Sequence, residues 1–190
     1  MRKIKHLIHM SLDGYANAAD GNFEWMVYND DIEKYAHDLI HDTGDAVIWG
    51  RNTFEGMKMY WPTVLGNSGS SPAERNHATW LNQSTKYVVS TTLTEADLGW
   101  ENSRLLGANF VEEITKIKQQ PGKDILIMGS LKLVQSLREH KLIDEFYINL
   151  NPKTLGGGTP LFAPGEQELL NFVEAHPLQG GVVALRYERT

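Results

Sequence analysis

Twice in this chain a short, unbroken apolar run ends on a small-residue turn and opens into a helix start. The stretches are Val47-Ile48-Trp49-Gly50-Arg51-Asn52-Thr53 and Ile125-Leu126-Ile127-Met128-Gly129-Ser130-Leu131. Apolar runs of this length, without polar alternation, read as strands buried on both faces, the usual condition of central strands in a parallel sheet. Strand-turn-helix units built this way define an α/β chain, and ligands of open α/β sheets gather outside the carboxyl ends of the strands. The two turns therefore restrict both the fold and the place where chemistry can occur.

The rest of the chain fits the same alternation. Residues 7–12 form a first strand closed by Asp13-Gly14, a turn dipeptide. Ile32, Tyr35, Ala36, Leu39 and Ile40 recur with helical spacing, with Asp30 and Glu33 as a capping pair and Gly44 as a left-handed terminator. Residues 67–72, rich in Gly and Ser, read as a mobile surface loop, and Ser71-Pro72 starts a short helix ending near Leu81. Residues 86–90 make another buried strand. Phe110, Val111, Ile114 and Ile117 mark a helix stopped by Pro121-Gly122, and Leu131, Val134 and Leu137 mark one after the strand 124–128. A strand at 145–150 precedes an antiparallel hairpin, 170–175 with 182–187, around Pro177-Leu178-Gln179-Gly180-Gly181. The prediction is one α/β domain over residues 1–190. It has a mixed, mostly parallel sheet, helices on both faces and a C-terminal antiparallel hairpin.

Composition narrows the function classes. With no cysteine among 190 residues, disulfides, thiolate nucleophiles and cysteine-ligated zinc are excluded. A net charge of −6 disfavours nucleic acid as a partner. No apolar run reaches the roughly 18 residues of a membrane span, and the N-terminus lacks a signal-peptide pattern, so a cytoplasmic location and small-molecule partners are expected.

Each candidate motif has two readings. Gly50-Arg51-Asn52-Thr53, with Thr53 as a helix-capping residue, is either an anion site, with free helix N–H groups and a guanidinium fork, or a plain βα turn with a solvent-facing Arg51. Met128-Gly129-Ser130-Leu131 could hold a pyrophosphate but lacks the full G-x-G-x-x-G pattern. Gly156-Gly157-Gly158-Thr159 is a flexible turn or a close backbone approach to a ligand. Asp13 is a proton relay or substrate anchor, or a turn residue bonding its own backbone. His37 and His41 lack the intervening Glu of a zinc helix, so they read as solvated, and no metal set emerges. Ser130 is outside any G-x-S-x-G elbow. Among the tryptophans, Trp25 alone is expected toward a ligand pocket.

The order of these motifs resembles a known superfamily. Ser11-Leu12-Asp13-Gly14-Tyr15, Gly50-Arg51-Asn52-Thr53, Val88-Val89-Ser90, Met128-Gly129-Ser130, Leu142-Ile143-Asp144-Glu145 and Gly156 to Phe162 follow one another as in dihydrofolate reductase-like proteins. The similarity is to the branch of the C-terminal reductase domain of bacterial bifunctional riboflavin-biosynthesis deaminase/reductases. That resemblance implies a three-layer fold, NADPH as hydride donor and a homodimer. It implies that Gly50, Arg51, Asn52 and Thr53 hold cofactor phosphates, with Ser90 and the adjoining Thr91 beside the adenosine 2′-phosphate. Met128, Gly129, Ser130 and Leu131 would meet the pyrophosphate. Asp13 would be catalytic, next to nicotinamide and substrate, with Trp25 and Thr159 also on the substrate side.

Three departures stand out. Met128 replaces a customary glycine, Thr91 stands where a basic residue is frequent, and Glu33 and Asp38 on the first long helix match no pterin-binding motif. A stand-alone relative without the deaminase partner domain is expected. The implied activity is hydride transfer to a C=N or C=O bond of a pteridine-like or aminopyrimidine-like molecule. The alternatives are a non-catalytic ligand-binding module and a purely structural dimer.

Overall fold

The chain alternates strands and helices as its apolar spacing predicts, and the resulting sheet buries its centre on both faces. The computed structural model describes residues 1–162, 165 and 167–190. Its first half contains β1 (Ile4–Ser11), β2 (Tyr15–Asn17), α1 (Asp30–Thr43), β3 (Gly44–Gly50), α2 (Arg51–Val64), α3 (Pro72–Gln83) and β4 (Thr85–Val89). The second half contains α4 (Glu95–Leu98), β5 (Ser103–Leu106), α5 (Phe110–Lys118), β6 (Asp124–Met128), α6 (Leu131–Glu139), β7 (Glu145–Asn151), β8 (Thr159–Pro160), β9 (Leu170–Pro177) and β10 (Val183–Arg189).

The main sheet runs β5-β4-β3-β6-β1-β7-β10-β9. Pairings from β5 through β7 are parallel, and β10 joins β7 and β9 antiparallel. The expected mixed, mostly parallel sheet with a terminal hairpin is present.

Two-residue periodicity divides each central strand between two cores. Ala46 and Ile48 of β3, Ile125 and Ile127 of β6 and Phe146 of β7 pack with Ile114 of α5 and Leu131, Val134 and Leu137 of α6. Val47, Trp49, Leu126 and Tyr147 point the other way, onto Ile40 of α1, Phe54 of α2 and Leu81 of α3. The molecule has three layers, α5 and α6 on one face and α1 to α3 on the other.

Several local expectations need correction. The cap of α1 is Asn29, whose Oδ1 accepts from the Ile32 N–H at 3.1 Å, rather than Asp30. Gly44 has φ −108 and is not left-handed; it opens β3, where an added Cβ would lie 2.7 Å from Leu126 Cδ1. Close packing demands that glycine. Thr53 is not a cap, because α2 already starts at Arg51. The first strand ends at Ser11, leaving Leu12 exposed. His37 and His41 do not simply face solvent. Their rings stack 3.9 Å apart, and His41 meets His77 and Trp80 of α3. The edge strand β5, the short α4 and the β2–β8 ribbon carry too few apolar residues to be expected from periodicity.

Candidate cofactor and substrate site

Parallel strands share one carboxyl edge, and in the order β4-β3-β6 that edge brings together Ser90, Gly50 and Met128; Leu7 of β1 is level with Met128, so β1 runs on past it to Ser11. Gly50, extended at φ −75 and ψ 163, precedes α2 and supplies no side-chain cap; no acidic residue occupies the first turn. Ser130 precedes α6 under the same conditions, in a left-handed conformation (φ 56, ψ 44). The turns are joined, because the Gly50 N–H donates to Ser130 Oγ at 3.1 Å. Gly50's own N–H is thus engaged, and the donors left for an anion are those of the helical residues after it.

Both turns have room beside them. A Cβ on Gly50 would meet only Leu133 Cβ at 3.8 Å, and one on Gly129 only Thr53 Cγ2 at 3.9 Å. Met128, half-buried, packs into the core on the α1–α3 face, which directs its side chain away from the small-residue turn.

Arg51 is exposed at the flank. Its Nε donates to Asn52 Oδ1 and its Nη1 to Thr92 Oγ1, each at 3.3 Å, so among the described residues it engages no carboxylate. Ser90 is buried, and its hydroxyl accepts from the Thr92 and Leu93 N–H groups at 3.1 Å. Ser90 shapes the loop, while Thr92 touches the guanidinium. Thr91 is exposed beside them. Sequence reading missed Thr92, because a hydroxyl three residues past a strand carries no signal by itself.

Asp13 has a defined set of partners. Its carboxylate accepts from Leu155 N–H at 3.0 and 3.1 Å, Gly156 N–H at 2.7 Å and the Ser11 hydroxyl at 2.6 Å. The Ser11 hydroxyl and these backbone donors lower its pKa from 3.8 to about 2. The carboxylate therefore fastens the 155–156 loop to the end of β1. Gly158 (φ +129) approaches the chain's own backbone, since a Cβ there would lie 2.0 Å from Asn17 O. Thr159 continues this contact as the exposed partner of Asn17 in the β2–β8 ribbon. Trp25 is 3% exposed, and its indole N–H has no partner among the described residues. Its loop is held at Val27, whose N–H donates to Asn151 Oδ1 at 2.8 Å.

The same edge brings together a polar set that the sequence reading did not single out. His9 of β1 is in register with Asn149 of β7. His9 Nδ1 lies 3.3 Å from Asn151 Nδ2, and His9 Nε2 lies 3.4 Å from Asn149 Nδ2. Both asparagines are buried, and burial lowers the His9 pKa. The available signal was Asn149 and Asn151 two apart on a central strand, where polar side chains on one face need partners.

A three-layer fold of this topology, with paired βα turns at the carboxyl edge, is a dihydrofolate reductase-like fold. The chain belongs to the RibD C-terminal domain family, whose sequence profile matches residues 2–184, so the fold is related to the riboflavin-biosynthesis reductase domain. The protein YyaP of Bacillus subtilis strain 168 is 28% identical over 187 residues, spanning 98% of this chain and 94% of its own. A candidate riboflavin-biosynthesis protein of Shewanella sp. PV-4 superposes with TM-score 0.72 at 24% identity, covering 100% of this chain and 99% of its own. Enterococcus faecalis dihydrofolate reductase, solved with NADP(H), gives TM-score 0.64 at 17% identity, covering 99% of this chain and 96% of its own. Family and neighbours together mark a reductase-type fold. Among the described residues, no helix is long and apolar enough to cross a membrane.

Proposed function

We propose that the protein is an NADPH-dependent reductase of a small pteridine-like or aminopyrimidine-like heterocycle, reducing a C=N or C=O bond. One observation carries this reading: two neighbouring helix starts, α2 and α6, have no side-chain cap and no first-turn acid, and they lie on one edge beside Arg51. Their unmet N–H groups and positive dipole ends suit a pyrophosphate, and a guanidinium without a carboxylate suits a further phosphate. The open faces of Gly50 and Gly129 fit such a ligand. The relative solved with NADP(H) supports the same cofactor class.

When bound, the cofactor would supply the hydride, and the protein would bind, orient and exclude water. Arg51 and Thr92 would hold the adenosine-side phosphate, with Ser90 and Thr91 framing that loop. Asn52 and Thr53 would meet the phosphates from α2, and Gly129, Ser130 and Leu131 from α6. The ring of the substrate would then lie toward the end of β1, near His9. In this reading Asp13, ionised and held by loop N–H groups, is a positioning residue, and Thr159 and Trp25 border the pocket.

The test is a titration of NADPH followed by nicotinamide fluorescence. Saturable binding well below millimolar is expected, and no binding at millimolar cofactor would overturn the assignment. Arg51→Ala should weaken NADPH by about tenfold to a hundredfold, the worth of roughly 1.5–3 kcal/mol for a charged hydrogen-bond set. NADH should change little.

A homodimer belongs to the same reading. Edge strand β9 exposes Phe172 and Val173 next to Leu169, an apolar strip that a second copy could cover. Sedimentation at micromolar concentration checks it. The full engagement of the Asp13 carboxylate favours one competing reading, a binding module without catalysis. Cofactor binding with no oxidation across pterins, pyrimidines and carbonyl compounds would select that alternative.

A further inference from the structure

The polar set at the end of β1 has a direction that its amide contacts determine. Asn151 is 0% exposed, and its Oδ1 accepts from a backbone N–H, that of Val27, at 2.8 Å. Its Nδ2 donates to the Asn149 carbonyl at 2.8 Å. A backbone donor on one side and a carbonyl acceptor on the other allow only one orientation of this amide. The remaining Nδ2 hydrogen faces His9 Nδ1 at 3.3 Å, nearer than the Met10 carbonyl at 3.5 Å, so that ring nitrogen accepts. A neutral imidazole that accepts at Nδ1 carries its proton at Nε2.

We infer that Asn151 is a positioning residue that fixes His9 as the neutral Nε2–H tautomer, and that it does so because the Trp25-bearing loop holds the Asn151 oxygen through Val27. Seating of the loop and placement of the His9 proton are then one event. Released from Val27, the amide could turn over and present oxygen to Nδ1, which moves the proton to that atom.

The next link follows from the same logic. Asn149 Nδ2 stands 3.4 Å from His9 Nε2, and Asn149 Oδ1, buried, has no partner among the described residues. Two donors facing each other while an acceptor goes unmet is resolved by turning the Asn149 amide, since its oxygen and nitrogen have nearly the same shape. His9 Nε2–H then donates to Asn149 Oδ1. Every N–H in the chain from Val27 through Asn151 and His9 to Asn149 points the same way, and the chain ends on an amide donor.

Long-range 1H–15N correlation of the imidazole rings in the ligand-free protein tests the inference, with the His9 signals assigned by their loss in His9→Gln. The expected pattern at neutral pH is an unprotonated Nδ1 and a protonated Nε2. A protonated Nδ1 would overturn it, and this measurement needs no variant of Asn151. Asn151→Asp replaces the amide donor with a carboxylate that can only accept, so the His9 proton should move to Nδ1 and the two nitrogen shifts exchange places. A folded Asn151→Asp protein with an unchanged His9 pattern would remove Asn151 from the role. Because the tautomer is read without cofactor, a failure of NADPH to bind would sink the reductase reading and leave this result standing.

Discussion

The helices of this protein begin in two different ways. At α1 the Asn29 side chain accepts from Ile32 N–H, with Asp30, Asp31 and Glu33 in the first turn. At α3, Ser71 and Glu74 form a reciprocal capping box. The starts of α4 and α5 also carry acids, Glu95 and Asp97 in one and Glu112 and Glu113 in the other. The starts of α2 and α6 have neither a side-chain cap nor an acid. A cap is worth about 1 kcal/mol and a first-turn acid about 0.3–1 kcal/mol. The chain forgoes both at the two helices that meet on the carboxyl edge of adjacent strands. Stability is withheld there, and an anionic ligand is the group whose charge and acceptors would complete those ends.

The most severe way to break this contrast is to make α2 resemble α1. Gly50→Asp is sterically permitted, because φ is −75 and the added Cβ meets only Leu133 Cβ at 3.8 Å. The new carboxylate would cap the helix and occupy the anion position. NADPH affinity should fall roughly a hundredfold, about 2.7 kcal/mol, while the urea midpoint holds or rises. Intact binding in the presence of the new cap would show that α2 does not receive the phosphates.

Acid should separate the two regions in the opposite sense. Burial lowers the His77 pKa from 6.5 to about 3, on the seam between α1 and α3, and that of His6 in the sheet from 6.5 to about 4. Unfolding frees both to bind protons near 6.5. Stability is therefore fully present above that pH and is lost as pH falls from about 6.5 toward 4 and 3. The slope is at most about 1.4 kcal/mol per pH unit for each histidine. Asp13, with its pKa at about 2, stays ionised through this window, so the 155–156 loop remains fastened. Urea midpoints should drop between pH 7 and pH 5, and a flat profile would contradict the burial of these rings.

The fold was largely legible because its information is periodic. Ile32, Leu39 and Ile40 mark a helix face, and Ile125-Leu126-Ile127 marks a strand buried on both sides, whatever surrounds them. What was illegible depends on contacts between distant segments. Gly44 looks like a helix terminator until Leu126 is placed against it, and His41 looks solvated until α3 brings His77 and Trp80. The site shows the same division. The turns at Gly50 and Gly129 could be found from local pattern, whereas Thr92 reaches Arg51 only through a loop, and His9 meets Asn149 and Asn151 only through the β1–β7 register. Asp13 was visible as a residue, but the loop it holds lies more than 140 positions away, at Leu155 and Gly156.

The smallest effects give the sharpest separation of the two kinds of helix start. Ser71→Ala removes the hydroxyl that accepts from Glu74 N–H, so α3 should lose about 1 kcal/mol with no change in NADPH affinity. Ser130→Gly works in reverse. It removes a left-handed serine, worth about 1–2 kcal/mol of strain relief, and also the hydroxyl that accepts from Gly50 N–H. The two changes in stability offset each other to within about 1 kcal/mol. The tie between the turns is gone, however, and NADPH should bind severalfold more weakly. Ser71 would then govern stability alone and Ser130 binding alone. If Ser71→Ala weakened cofactor binding as much as Ser130→Gly, the α3 start would share in the site and the distinction between the two regions would collapse.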